Sequence, residues 1–251
     1  MLPVSLYRDN VHPFNLNAVD ASWKQCIETG ISLMDPDYLA SLTSTSGWLP
    51  GSDKIFNAFS LPVQQVKYVL MGESPYPRPE SANGYAFWDA SVNELWSATG
   101  LSKKVNRATS LRNIIKMLLI AEGMLDPHHT TQESIVSLNK NRLIQTNAAL
   151  FGNLIQHGFL LLNATPVLQA SSPLKDARAW HPFTQHVLRY LLQHHPEVQL
   201  LLLGRIANTI DQLLPEKSIR KIYAEHPYNL SFITNSDIID FFKPLHLLIN
   251  I

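Results

Sequence analysis

Three short and almost uninterrupted apolar runs constrain this chain more than any other feature. They are VKYVLMG (66–72), FLLLNAT (159–165) and EVQLLLLG (197–204), and IRKIYAEHP (219–227) reads as a fourth strand. A strand covered on one face alternates apolar and polar residues, whereas a strand covered on both faces reads as a continuous apolar run. Between these runs lie segments with helical spacing. In TSLRNIIKMLLIAEGML the residues Leu111, Ile114, Ile115, Leu118 and Leu119 share one face, and Thr109 or Ser110 is expected to cap it. RLIQTNAALFGNLIQHG is expected to form a helix stopping at Gly158, HPFTQHVLRYLLQHH and ANTIDQLLP two more, and a last helix starts near Ser236. HHTTQESIVSLNKN reads as a polar connector. Strands alternating with helices predict a three-layer α/β/α fold around a central parallel four-stranded sheet, spanning residues 1–251 as one domain.

In such sheets ligands bind beyond the carboxyl ends of the strands. The loops that matter therefore follow Gly72, Leu162, Gly204 and Ala224. The first, GESPYPRPESANGYAF (72–87), is stiffened by prolines and offers Glu73, Ser74, Tyr76 and Phe87, the last two with flat faces for stacking. In the second, Asn163 ends an apolar strand with both a donor and an acceptor, the combination that pairs with a base edge. In the fourth, EHPYNLS, His226 can donate to a developing oxyanion and Leu230 can act as an apolar wedge. Gly204-Arg205 is a candidate phosphate contact at the third.

Composition narrows the partners. Lys+Arg and Asp+Glu are both 20 in 251 residues, so bulk charge does not drive nucleic-acid binding, although a local basic groove is compatible with that balance. Lys103, Lys104, Arg107, Arg112 and Lys116 form one basic cluster, which also reads as a solvated helix face. The single cysteine, Cys26, reads as a small buried hydrophobe and fits a reducing cytoplasm. The opening MLPVSLYRDN does not resemble a signal peptide, and no apolar run reaches membrane-spanning length, so a cytoplasmic protein without membrane contact is expected. The histidine pairs at His128 and His194 lack a third ligand, and no metal or other cofactor is expected.

Taken in order, these loops resemble the uracil-DNA glycosylase superfamily, its classical branch most closely. The family pattern G-Q-D-P-Y is met by Gly72-Glu73-Ser74-Pro75-Tyr76, and A-x-G-x-x-F by Ala82, Gly84 and Phe87. S-L-x-N-I is met by SLRNI (110–114), L-L-L-N-A by 160–164, K-D-x-x-W-x-x-F-T by KDARAWHPFT (175–184) with one extra residue, and H-P-S-P-L-S by HPYNLS (226–231). The resemblance implies base flipping, a monomer, and uracil-containing DNA as partner. Phe87 would stack on uracil, Tyr76 exclude a thymine methyl group and Asn163 read the pyrimidine edge. His226 would stabilise the departing base, while Leu230, with Ser231 beside it, would fill the gap in the duplex.

The departures bear on chemistry. The family's catalytic aspartate falls at Ser74, whose neutral hydroxyl can orient water but supplies no charge; losing a positioned acid–base group costs roughly 10²–10⁴ in rate. Glu73 replaces a glutamine, and its side chain is expected to point away from that of Ser74. Asp176, expected in the loop after Asn163, is the candidate for a relocated acid, with a structural ion pair to Lys175 or Arg178 as the other reading. Arg205 stands where the family has serine, and Asp237 and Asp240 occupy a segment that is more basic in the family. Three functions follow from this pattern: an active glycosylase of base excision repair, an inactive DNA- or base-binding relative, and a protein–protein scaffold.

Overall fold

The computed structural model describes residues 14–170 and 172–250; the MLPVSLYRDN segment lies outside them. Helices α1 (Lys24–Ser32) and α2 (Pro36–Ser44) precede the first strand, β1 (Tyr68–Gly72). A small antiparallel hairpin, β2 (Trp96–Ser97) and β3 (Gly100–Leu101), leads into α3 (Lys103–Arg107) and α4 (Thr109–Ala121). Then come α5 (Gln132–Val136), α6 (Asn147–Gln156), β4 (Phe159–Asn163) and the long α7 (Pro173–His194). The chain closes with β5 (Gln199–Leu203), α8 (Ile206–Leu213), β6 (Arg220–Ala224) and α9 (Ser236–Phe242).

The three apolar runs and the fourth strand form one parallel sheet in the order β4-β1-β5-β6. Alternate strand residues face opposite sides. Val69, Met71, Leu160, Leu162, Leu200 and Leu202 pack with Trp23, Ile27, Trp180, Phe183 and Leu188 from α7 and the N-terminal elements. Leu70, Phe159, Leu161, Leu201 and Leu203 pack on the other face with residues of α4, α6 and α9. β1, β4 and β5 are therefore buried on both faces, which is why their runs are continuous in apolar character, whereas β6 at the sheet edge is exposed or half-buried along its length. Cys26 is buried in the first of these layers, where desolvation pushes its thiol up to about 12.

Several local expectations are corrected. Helix α4 starts at Thr109 with Ala108 as its cap, and neither Thr109 nor Ser110 caps it; the capping hydroxyl belongs to Ser102, which accepts from Val105 N–H and starts α3. Helix α6 begins at Asn147 rather than Arg142, because Thr146 accepts from the Ala149 N–H and sets the start there. The connector near 130 contains α5, capped by Thr131. Most consequential, α7 begins at Pro173 and not near His181. A proline is well tolerated in a first helical turn, where its missing N–H has no partner to lose. Asp176 consequently lies on a helix and not in the loop.

Candidate functional site

Three loops meet where β1, β4 and β6 end. Gly72 and Asn163 are register partners on adjacent strands. A Cβ on Gly72 would come within 2.5 Å of Asn163 Oδ1 and 2.8 Å of Ala86 Cβ, so only glycine lets the amide and the returning loop approach here. The opening loop is tied to β4: Ala86 N–H donates to Leu161 O (3.0 Å), Ala164 N–H to Gly72 O and Thr165 N–H to Glu73 O (both 2.9 Å). Asn163 is only 4% exposed, yet its side-chain amide makes no hydrogen bond among the described residues. An amide at a strand end without a protein partner has its donor and acceptor open to a ligand.

Phe87 is held at φ +62°, a left-handed conformation that bulky side chains seldom adopt. The Tyr76 hydroxyl donates to Phe87 O at 3.1 Å and helps fix it. Burial, and secondarily the negative charge of Asp89, raises the Tyr76 phenol well above its ordinary value, so it remains a neutral donor. Arg78 closes the loop's far side with a 3.0 Å ion pair to the buried Asp89. The Phe87 ring lies 5.9 Å from that of His226, inclined by 37°.

His226 sits just beyond β6, seated against Gly204, where an added Cβ would lie 2.7 Å from His226 Cβ. Its Nδ1 accepts the Tyr228 N–H at 3.0 Å. Desolvation lowers its pKa below the ordinary value; Glu73 opposes that effect and Arg205 adds to it. A neutral imidazole whose Nδ1 accepts must carry its proton on Nε2, so the ring presents a donor.

Glu73 is therefore not remote. Its carboxylate acts on His226 and stands 4.0 Å from the guanidinium of Arg205, itself 91% exposed. Ser74 is exposed, and its hydroxyl has no hydrogen-bond partner among the described residues. Leu230 opens a 3₁₀ turn (Leu230–Thr234) and is 65% exposed. Ser231 follows it and is exposed.

Asp176 is placed differently from the rest. It is fully buried; Oδ1 accepts from Tyr38 Oη (2.8 Å) and Gln169 Nε2 (2.7 Å), and Oδ2 from Gln169 N–H (2.7 Å). Trp180 Nε1 donates in turn to Tyr38 Oη at 3.1 Å, and Thr184 Oγ1 to Ala164 O at 2.7 Å. The KDARAWHPFT motif thus anchors the loop after β4, and neither an ion pair with Lys175 or Arg178 nor an open carboxylate is found at Asp176 among the described residues. A further residue, Asn113, escaped the sequence-based selection. Buried on α4, it donates to Pro227 O (2.7 Å) and Asn229 O (3.4 Å) and braces the loop carrying His226 and Leu230. Its trace in the sequence is the single amide of SLRNI.

No family model matches the chain. Individual relatives do. Uracil-DNA glycosylase of Coxiella burnetii (strain Dugway 5J108-111) is 31% identical over 184 residues, covering 72% of this chain and 68% of the relative. Uracil-DNA glycosylase of Mycobacterium sp. (strain KMS) is 26% identical over 221 residues, covering 85% and 82%. Among solved structures, the wild-type UNG of Nitratifractor salsuginis is 38% identical and covers 94% of this chain and 95% of its own, with a TM-score of 0.88. Mimivirus uracil-DNA glycosylase shares the fold at 19% identity, covering 85% of this chain and 71% of its own, with a TM-score of 0.58. The unpartnered amide, the held aromatic ring and the neutral histidine are thus set in a scaffold whose relatives share both sequence and fold over most of their length, and the chain belongs to the uracil-DNA glycosylase family.

Proposed function

We propose that this protein is an N-glycosidase of base excision repair that extracts uracil from DNA and hydrolyses the bond between base and sugar. The observation that carries this reading is Asn163, buried to 4% with an amide that bonds to nothing among the described residues. A pyrimidine edge supplies the donor and acceptor it lacks. Phe87 stacks on the extruded ring, and Tyr76 closes the side where a methyl group would sit. His226, neutral with its proton on Nε2, donates to an oxygen of the departing base as negative charge develops there.

In this reaction a water oxygen bonds to the anomeric carbon while the carbon–nitrogen bond breaks. The electron pair leaves with the base as an anion, one water proton stays on the new sugar hydroxyl, and the other is lost to solvent, from which the released base is protonated. A negative charge beside the sugar favours both the cationic character of the sugar and the deprotonation of water. Ser74 orients the water but brings no charge. Glu73 is the carboxylate next to Ser74 in this loop, 4.0 Å from Arg205 after β5, and we assign the charge to it. Asp176 has a positioning role: its hydrogen bonds to Tyr38 and Gln169 hold the loop after Asn163. Leu230 fills the space vacated in a duplex, and Arg205 contacts a phosphate.

A second reading, a binder without chemistry, is favoured by the neutral hydroxyl at position 74. Uracil release from single-stranded and duplex uracil-containing oligonucleotides decides between them. Release of the free base supports the glycosidase; selective binding without release supports the binder; neither outcome refutes both.

A further inference from the structure

The loop beyond β6 exposes two large side chains, not one. Tyr228 is 68% exposed and Leu230 is 65% exposed. Such residues scattered singly need no explanation, but two on one short loop beside a ligand site do. The Tyr228 backbone N–H is bonded to the His226 ring, so the tyrosine side chain leaves the backbone within one residue's reach of the base site. Its hydroxyl has no hydrogen bond among the described residues. The loop itself is not loose: Asn113 grips the carbonyls on both sides of Tyr228, those of Pro227 and Asn229. A rigid backbone therefore presents an unpartnered aromatic ring to solvent.

The neighbouring charge pattern indicates what this ring meets. From Leu230 to Phe242 the chain contains Asp237 and Asp240 and no lysine or arginine. This flank offers no cationic side chain to DNA phosphates, which ordinarily dominate affinity. An aromatic face binds any nucleobase by stacking, without needing charge. We propose that Tyr228 is a second finger of the DNA interface, stacking on a base next to the extruded nucleotide while Leu230 occupies the vacated space. This rests on the base-flipping reading above. Flipping leaves an unstacked face on each neighbouring base, and a tyrosine ring restores one of those stacks. Because stacking needs no complementary strand, the finger also acts on single-stranded DNA.

The test uses the full chain with oligonucleotides carrying 2-aminopurine on either the 5′ or the 3′ side of uracil. Wild type should change the fluorescence of one of the two probes. Tyr228→Ala should abolish that change and weaken binding roughly 5- to 150-fold, the equivalent of one base–aromatic stack. Tyr228→Phe and Tyr228→Trp should behave as wild type. The slope of affinity against salt should be the same for wild type and Tyr228→Ala, since no charge is removed. Thermal melting separates a folding defect from a lost contact. If Tyr228→Phe loses as much as Tyr228→Ala, the hydroxyl and not the ring makes the contact, and stacking is overturned. If wild type releases uracil but Tyr228→Ala binds and perturbs the probes equally, the finger is refuted and the glycosidase stands. Probe perturbation without uracil release refutes the reaction and keeps the finger; neither signal from wild type refutes both.

Discussion

The Tyr228 backbone N–H donates to His226 Nδ1 at 3.0 Å, and this bond determines which ring nitrogen is left to donate. With Nδ1 occupied as acceptor, the neutral ring has its proton on Nε2. Desolvation keeps the ring neutral by lowering its pKa, against the pull of Glu73. Uracil release should therefore persist below the ordinary histidine pKa of 6.5 and fall only as acid protonates the ring at its lowered value. Nitrogen NMR of the imidazole checks both points. The Nε2–H tautomer should dominate at neutral pH. Glu73→Gln removes a charge that raises the pKa and should move the titration to lower pH, whereas Arg205→Ala removes one that lowers it and should move it up.

Asn163→Ala should weaken free-uracil binding by about 1–3 kcal/mol, since the base edge loses its buried partner. Gly72→Ala should do comparable harm by a different route, because the new methyl group would lie 2.5 Å from Asn163 Oδ1. Calorimetric titration of uracil reads both. Affinity equal to wild type in Asn163→Ala would remove that amide from the pocket.

Asp176→Ala should act on stability rather than on the chemical step. It strands the buried Tyr38 hydroxyl and two donors of the half-buried Gln169, at a cost of about 3 kcal/mol in urea unfolding. Asp176→Asn, which retains acceptor capacity, should cost less. Single-turnover uracil release per folded molecule by Asp176→Asn should stay within a few-fold of wild type; a drop of roughly 10²-fold or more would instead mean an acid–base role.

Leu230→Ala should impair cleavage of duplex substrate more than of single strands, because only the duplex must be unstacked and filled. Rates on matched oligonucleotides test this. Equal losses on both would make Leu230 a general contact instead of a wedge.

How much of this the sequence discloses depends on how local the determining physics is. Continuous apolar runs specify a sheet buried on both faces, so strand order apart, the architecture can be read directly, and with it the strand ends bearing Asn163 and His226. The helical start at Pro173 is masked because proline breaks helices in their interior but favours their first turn. The fate of Asp176 depends on Tyr38, 138 residues away, and the role of Asn113 on Pro227, 114 residues away. No spacing rule reaches such pairs. Glu73 is the instructive case. Alternation along one strand says nothing of its neighbours at the sheet's carboxyl edge, which are Arg205 after β5 and His226 after β6.

The most direct test of the account is single-turnover uracil release by wild type, Glu73→Gln and Ser74→Asp on a uracil-containing single strand. If Glu73 supplies the charge beside the sugar, wild type releases uracil, Glu73→Gln loses roughly 10²–10⁴ in rate, and Ser74→Asp, which only adds a second carboxylate beside the first, gains little. No uracil release from wild type, or full activity in Glu73→Gln with a gain of about 10²-fold or more in Ser74→Asp, would contradict it.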